Sequence, residues 1–512
     1  MNEEIFKVNG YNLDPQQKEI VLSNNKNILV IAGAGSGKSL TIVGKIKYLI
    51  EIKGLKENEI LCVSFTNDSC NSLKKSLINN GYNIEVNTFH KLALKILKDN
   101  NVDFLISNVD LLEYIINEFF DYAIFFDDFY LKILLKYLKI NTYKKNYKNL
   151  KKYYKNEMNA LKLNILTFIN LYKSKGYNDV FINEIFIREK KLFKTFFNKK
   201  NLYFLLFVIK IMHAYKKELL STNSKDFDDL ILEATKVLIN SNKNIAYKYV
   251  IIDEFQDTSL LRYNLIKELL KKSNANFMAV GDDYQSIYRF SGCDLFLFLN
   301  FNKYFNDSKV YKIEKTYRNS YELIKIAEKF IKKNKIQIDK ILKSDKLLDY
   351  PIKILYYENE KKEFFKLLDY LYDKNLFNIL IVSRNNNDIY SILNKDFVID
   401  ENGYIKYNKY PKLNIRFLTV HKSKGLEEEV VIVISLKDGV WGFPNKKTYL
   451  KIFNYVLSNE EKILYAEERR LFYVALTRTK SYCFLLTSKK DPSTFVKEIV
   501  CDSSKYIENI IL

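Results

Sequence analysis

Proline and glycine are scarce in this chain, with 5 and 14 in 512 residues, and there is a single tryptophan. No repeat and no linker rich in Pro, Gly or Ser breaks the second half, so composition alone marks no boundary there. Cysteine is sparse too. The five cysteines (Cys62, Cys70, Cys293, Cys483 and Cys501) are scattered, with no Cys-x-x-Cys pair. That excludes a zinc ribbon or a disulfide framework and reads as free thiols in a reducing compartment. No apolar run approaches the roughly 20 residues of a membrane span. Met1 to Gly10 mixes Asn, Glu and Lys without the apolar core of a signal peptide. A cytoplasmic protein without membrane contact is the expectation, and the length suggests two to four domains.

What is abundant is Lys, Asn, Ile, Tyr and Phe. The formal charge is +21, which invites a polyanionic partner. The same bias would follow from an AT-rich coding sequence, so the lysine excess is weak evidence by itself.

Two stretches carry chemistry. Tyr249 to Ile252 reads as a short apolar strand buried on both faces, and it runs straight into Asp253-Glu254-Phe255-Gln256-Asp257-Thr258. Acids at the C-terminal end of such a strand lie where open α/β sheets bind ligands. One carboxylate can hold a magnesium ion while its neighbour orients a water. Alone, the stretch is equally a strand entering an acidic, solvated turn. The second stretch tips the balance. Asn27 to Ile31 is another apolar strand, followed by Ala32-Gly33-Ala34-Gly35-Ser36-Gly37-Lys38-Ser39 and an amphipathic helix from Lys38 to about Lys53. Small residues let consecutive N–H groups curl round phosphate oxygens, and the helix N-terminus adds positive potential. Lys38 would reach the terminal phosphates and the Ser39 hydroxyl would ligate magnesium. Ala32 stands where the strict pattern has its first glycine. The cofactors expected are ATP and Mg2+.

Further segments follow in order: Leu13-Asp14-Pro15-Gln16-Gln17, Val63-Ser64-Phe65-Thr66-Asn67, Asn87-Thr88-Phe89-His90, Asp226-Phe227-Asp228-Asp229-Leu230, and Val280 to Phe290. Then come Thr316-Tyr317-Arg318-Asn319-Ser320, Thr419 to Glu427, and Glu467 to Arg478. Together they make the chain resemble the UvrD/Rep family of superfamily-1 DNA helicases, most of all its helicase IV branch, over nearly the whole length from Leu13 to Arg478. The resemblance implies an α/β fold of two RecA-like parallel-sheet domains with a helical insertion in the first. The boundaries expected are 1–92 plus 221–305 for the first domain, 93–220 for the insertion and 306–512 for the second.

The resemblance also implies roles. Gln17 would read the adenine edge, Tyr317 would stack on the base and Glu427 would contact the ribose. Residues Ala32, Gly33, Ala34, Gly35, Ser36, Gly37, Lys38 and Ser39 would cradle the phosphates, with Asp253 and Ser39 on the metal. Glu254 would be the general base, and Gln285, Arg318 and Arg478 would sense and clamp the γ-phosphate. Arg318 and Arg478 would both belong to the second domain, so that ATP sits in a cleft that closes and opens. Phe65, Tyr288 and Phe290 would stack on single-strand bases, with Thr66, His90 and His421 near the backbone.

The family's larger members carry an extra domain between the positions of Arg318 and His421. Here about a hundred residues separate these two, so that 2B domain is much reduced or absent, with at most a small insertion around 335–350 or 385–412. Leu40, Asp68 and Ser291 stand where relatives often have a basic residue, the last two near the expected DNA path. The expected activity is ATP-dependent, single-strand-DNA-stimulated translocation and unwinding at single-strand/duplex junctions. Its 3′-to-5′ polarity is implied wholly by the resemblance, and the expected state is a monomer or a weak DNA-templated oligomer. The rivals are a motor that strips proteins from single strands without unwinding, and a non-hydrolysing nucleic-acid-binding scaffold.

Overall fold

The computed structural model describes residues 3–140, 151–195, 199–457 and 464–512. The first large sheet has six strands: β1 (Asn27–Ala32), β2 (Ile60–Ser64), β3 (Glu85–Thr88), β4 (Tyr249–Ile252), β5 (Asn276–Gly281) and β6 (Ser308–Ile313). They lie in the order β6-β1-β5-β4-β2-β3, every pair parallel. The apolar strands are buried on both faces because successive side chains feed different cores. Leu29, Ile31, Leu61, Val63, Val250 and Ile252 join one cluster. Ile28, Val30, Ile60, Cys62, Tyr249 and Ile251 join the other.

The strand Ser308–Ile313 corrects the expectation that residues 306–512 all belong to the second domain. It pairs in register with Asn27–Ala32 along its whole length. Alternation of exposed and buried residues identifies an edge strand but says nothing about which sheet it joins. The consequence reaches the site. Thr316 to Arg318 follow directly from the first sheet, so Arg318 is delivered by that sheet's edge strand rather than from within the second.

The second large sheet has eight strands: β7 (Ile352–Tyr357), β8 (Asn378–Ser383), β9 (Phe397–Ile399), β10 (Tyr404–Tyr407), β11 (Asn414–Thr419), β12 (Glu428–Leu436), β13 (Thr479–Ser488) and β14 (Ile507–Asn509). Their order is β9-β10-β11-β8-β12-β13-β7-β14. All neighbours are parallel except β9 with β10 and β10 with β11. Between β8 and β11 the chain makes a 3₁₀ turn (Asn386–Ser391) and the β9–β10 hairpin, which simply extends the sheet.

Between β3 and β4 lie helices that include Leu111–Asp121, Asp128–Tyr137, Lys155–Ser174 and Lys199–Ser221. Phe120, Phe168, Phe204 and Phe207 are fully buried among them. Ile452, Phe453 and Val456, from the segment after β12, are buried in the same core, and Phe453 meets Phe168 at 5.7 Å between ring centroids. The second half of the chain is thereby fastened to the helical insertion.

Candidate active site between the two sheets

The phosphate loop sits at the C-terminal end of β1. Gly35 and Gly37 have φ of +69° and +78°, a left-handed backbone that glycine adopts without penalty. Each also permits a close approach. A Cβ on Gly35 would lie 2.4 Å from Cβ of Arg318, and one on Gly37 would lie 2.7 Å from Nε2 of Gln17. The helix Lys38–Glu51 then points its N-terminus at the loop. Among the described residues the buried Ser36 hydroxyl has no hydrogen-bond partner, and Ser39 is exposed on the first turn. An unpartnered hydroxyl inside a cradle of N–H groups suits an oxygen-rich anion.

Glu254 leaves β4 in a left-handed conformation, φ +56°, a strained state for a residue with a side chain. Its carboxylate accepts from Lys38 Nζ at 2.8 Å and from Gln256 Nε2 at 2.6 Å. Lys424, from the turn after β11, stands 3.5 Å from the same carboxylate and 2.5 Å from Asp257. Burial pushes Glu254 up, but Lys38 and Lys424 outweigh it and hold it well below the usual carboxylate range. Asp253 behaves oppositely. Burial and then the neighbouring Glu254 charge push it up to about 6. Asp257 is likewise pushed up to about 6, by burial first, with Lys424 opposing and Glu254 adding to it. Among the described residues no three acids, histidines or cysteines form a metal-binding group. The Ser39 hydroxyl and the Asp253 carboxylate are nevertheless hard oxygen donors of the kind magnesium takes alongside phosphates.

A hydrogen-bonded path leads from Glu254 to the second sheet. Gln256, fully buried, accepts from the Asp282 N–H at 2.9 Å; Gln285 donates to Asp282 at 2.5 Å; Arg478 Nη2 donates to Gln285 Oε1 at 3.0 Å. Arg478 follows the helix Ala466–Leu476 and is itself buried. Burial, then repulsion from Arg318, lowers its pKa to about 9. Arg318 Nε donates to Glu427 at 2.6 Å, and the backbone N–H of Tyr317 donates to Gly35 O at 2.9 Å. The Tyr317 hydroxyl donates to Asp14 at 3.0 Å, and its ring is half exposed; Gln17 donates its backbone N–H to the same Asp14 carboxylate at 2.8 Å and its side-chain amide to Ser36 O at 3.1 Å. The residues expected at one nucleotide site thus form one connected set from Gln17 to Arg478.

The residues expected along DNA divide into two groups. Tyr288, Phe290 and His421 come together from both sheets: Tyr288 donates to His421 O at 2.9 Å, and the Phe290 ring meets the His421 ring edge-on at 5.2 Å. Phe290 is exposed. Phe65 instead packs on Phe89 at 5.1 Å with Arg262 over its face, and His90 lies against Phe227 at 4.9 Å. Thr66 accepts from Ser69 N and caps the helix Asn67–Asn79. Sequence reasoning missed Lys424, although it lies in the quoted segment Thr419 to Glu427; it also missed the buried Lys340. In a chain with 82 Lys and Arg, no local signal separates these two from the rest.

A P-loop sheet whose loop end is faced by a buried arginine from a second, mostly parallel sheet defines a two-sheet P-loop NTPase. Residues 13–306 match the family model of the UvrD/REP helicase N-terminal domain, and residues 400–490 match that of the UvrD-like helicase C-terminal domain. The chain belongs to the UvrD/REP helicase family, a family of ATP-dependent DNA helicases. It is 28% identical to DNA helicase IV of Escherichia coli over 507 residues, covering 95% of this chain and 69% of that protein. It is 32% identical over 368 residues to the ATP-dependent DNA helicase Rep of Buchnera aphidicola (Acyrthosiphon pisum), covering 70% of this chain and 50% of that protein. A probable DNA helicase of Mycoplasma pneumoniae is 26% identical over 513 residues, covering 95% of this chain and 87% of that protein. The chain therefore spans about half to two thirds of several longer relatives, and most of the Mycoplasma one. Among the described residues no helix is long and apolar enough to cross a membrane.

Proposed function

We propose that this chain hydrolyses ATP to move along single-stranded DNA, 3′ to 5′, and separates strands at junctions. The observation that supports this most is the Arg478–Gln285 hydrogen bond, which joins the second sheet to the end of β5 in the first. Ser39 and Asp253 would hold a magnesium ion, which would supply positive charge to the phosphates. The loop N–H groups and Lys38 bind the phosphates. Glu254 orients water and accepts its proton as the water oxygen bonds to the γ-phosphorus and the bond to the bridging oxygen breaks. Arg318 and Arg478 stabilise the charge that spreads over the equatorial oxygens. Gln17, Tyr317 and Glu427 orient the nucleoside. Lys38 would have to exchange Glu254 for phosphate, freeing the carboxylate for water. Tyr288, Phe290 and His421 lie where the two sheets meet, so sheet movement would shift bases stacked on them.

A second reading, a motor that strips proteins from single strands without unwinding, is favoured by the region between β8 and β11, which adds only a turn and a hairpin. Unwinding of 3′- and 5′-tailed duplexes, run beside displacement of streptavidin from biotinylated single strands, tests both. Unwinding of the 3′-tailed duplex alone supports the first reading; streptavidin displacement without unwinding supports the second. ATP turnover indifferent to any nucleic acid overturns both.

A further inference from the structure

A buried cation lies behind the nucleotide site, outside every role assigned above. Lys340 has no solvent-exposed side chain, and neither have its partners Asp282 and Asp283. Its ammonium donates to Asp282 Oδ1 and, at 2.7 Å, to Asp283 Oδ1, and it stands 3.6 Å from the centre of the Tyr284 ring. Asp283 is further tied to the same segment by Ile338 N–H at 2.8 Å, and its carbonyl by Gln337 Nε2 at 3.0 Å. Asp282 accepts from Gln285 Nε2 on its other oxygen, and from the backbone N–H of Tyr284 on the oxygen that meets Lys340.

The segment carrying Lys340 touches the rest of the site in sequence order. Ile341 N–H donates to Glu314 Oε1 at 3.2 Å, and Glu314 is bonded through its own N–H to Gln16 at 2.9 Å. Leu342 fills the space that a Cβ on Gly33 would need, 2.6 Å away. Lys343 O accepts from Thr316 N–H at 2.8 Å, and Ser344 Oγ donates to Asn319 O at 2.8 Å. Residues 337–344 are thus a strap that leaves the Asp283–Gln285 turn, passes the phosphate loop and ends against Thr316 and Asn319, the residues that flank Tyr317 and Arg318. A lysine is expensive to bury, and two carboxylates around one ammonium leave the turn badly off without it.

We propose that Lys340 is a positioning residue for ATP hydrolysis: it neutralises Asp282 and Asp283 and so holds Gln285 in line with Arg478. The inference rests on the ATPase reading above. Without the ammonium, Asp282 loses the partner that fixes its Oδ1, whether or not Asp283 is charged, and the Gln285 amide loses its fixed acceptor. Displacement of a catalytic group by about 1 Å is worth on the order of a hundredfold in rate.

The test compares Lys340→Met, Lys340→Arg and the double variant Lys340→Met/Asp283→Asn in the full chain. It reads kcat and KM for ATP with single-stranded DNA, together with the thermal midpoint. The double variant removes one acid with the cation, so it folds even where Lys340→Met alone does not. The expected result is a kcat about a hundredfold lower in both Met variants, KM for ATP within about threefold, and partial recovery in Lys340→Arg. In the double variant the midpoint should recover while kcat does not. Wild-type kcat in a folded Met variant overturns the proposal, as does kcat recovering in step with the midpoint, which is the mark of a purely structural lysine. Absence of ATP turnover in the wild type defeats the ATPase reading instead, and the two failures are therefore distinct.

Discussion

Arg478 Nη2 and Gln285 Oε1 lie 3.0 Å apart, and this bond crosses from the second sheet to the first. Arg478 is fully buried at that crossing, and burial with the nearby Arg318 charge lowers its pKa to about 9. A guanidinium buried at such a cost near Arg318, which itself abuts Gly35 of the phosphate loop, is understandable if an anion completes the site. The two arginines approach the loop by different routes, Arg318 from edge strand β6 and Arg478 from the helix end before β13.

Arg478→Ala should lower kcat by about 10³-fold or more, the scale set by arginine fingers. Binding of a fluorescent ATP analogue should weaken far less, because the charge it meets grows only in the transition state. Arg478→Lys should recover little, since an ammonium cannot reproduce the planar fork. Steady-state turnover beside equilibrium titration separates the two quantities. Equal loss in both would assign Arg478 to ground-state binding.

Phe290 and Phe65 were expected to act alike on DNA, and their settings predict that they differ. Phe290→Ala should weaken single-strand binding by about 1–3 kcal/mol with little change in thermal midpoint, because its ring is exposed. Phe65→Ala should act first on stability, because the ring is packed on Phe89 beneath Arg262. Fluorescence anisotropy with a labelled oligonucleotide, over a range of salt, checks the first. Affinity should also fall steeply with salt; a flat response would make the charge of +21 a matter of composition.

His421 and His90 are held neutral in the fold. Burial, then Arg384 and Lys424, pushes His421 down to about 3; burial, then Arg262, pushes His90 down to about 4. The unfolded chain takes up these protons near pH ~6.5 while the fold refuses them, so their contribution is present above that pH and lost as pH falls. Asp228, Asp253 and Asp257, pushed up to about 6, act in the opposite sense below that pH. The histidine effect is therefore read as a difference. Between pH 7 and 5 the wild type should lose about 1–2 kcal/mol more than His421→Gln. Parallel denaturation curves at the two pH values would show that His421 is protonated in the fold.

The parts of the site that were legible in the sequence are the local ones. Tyr249 to Ile252 and Asn27 to Ile31 are continuous apolar runs ending in distinctive residues, and both are strands at those positions. Nothing local says which sheet an edge strand joins, and only the pairing of Ser308–Ile313 with Asn27–Ala32 reveals that it belongs to the first. The Lys424–Asp257 pair spans 167 positions, and the Lys340–Asp283 pair spans 57. Each lysine is ordinary in its own neighbourhood and becomes unusual only when folding buries it among acids. The motif residues were recognisable because their chemistry is written in short strings; the cations that hold those strings in place are not.

The most direct test of a site shared by two sheets is steady-state ATP hydrolysis with and without single-stranded DNA, for the wild type beside Glu254→Gln. DNA should stimulate the wild type. The Gln variant should turn over at least about a hundredfold more slowly, as loss of a general base demands, while still binding a non-hydrolysable ATP analogue and the oligonucleotide. Wild-type turnover that ignores DNA, or a Glu254→Gln variant that hydrolyses ATP at the wild-type rate, would contradict the account.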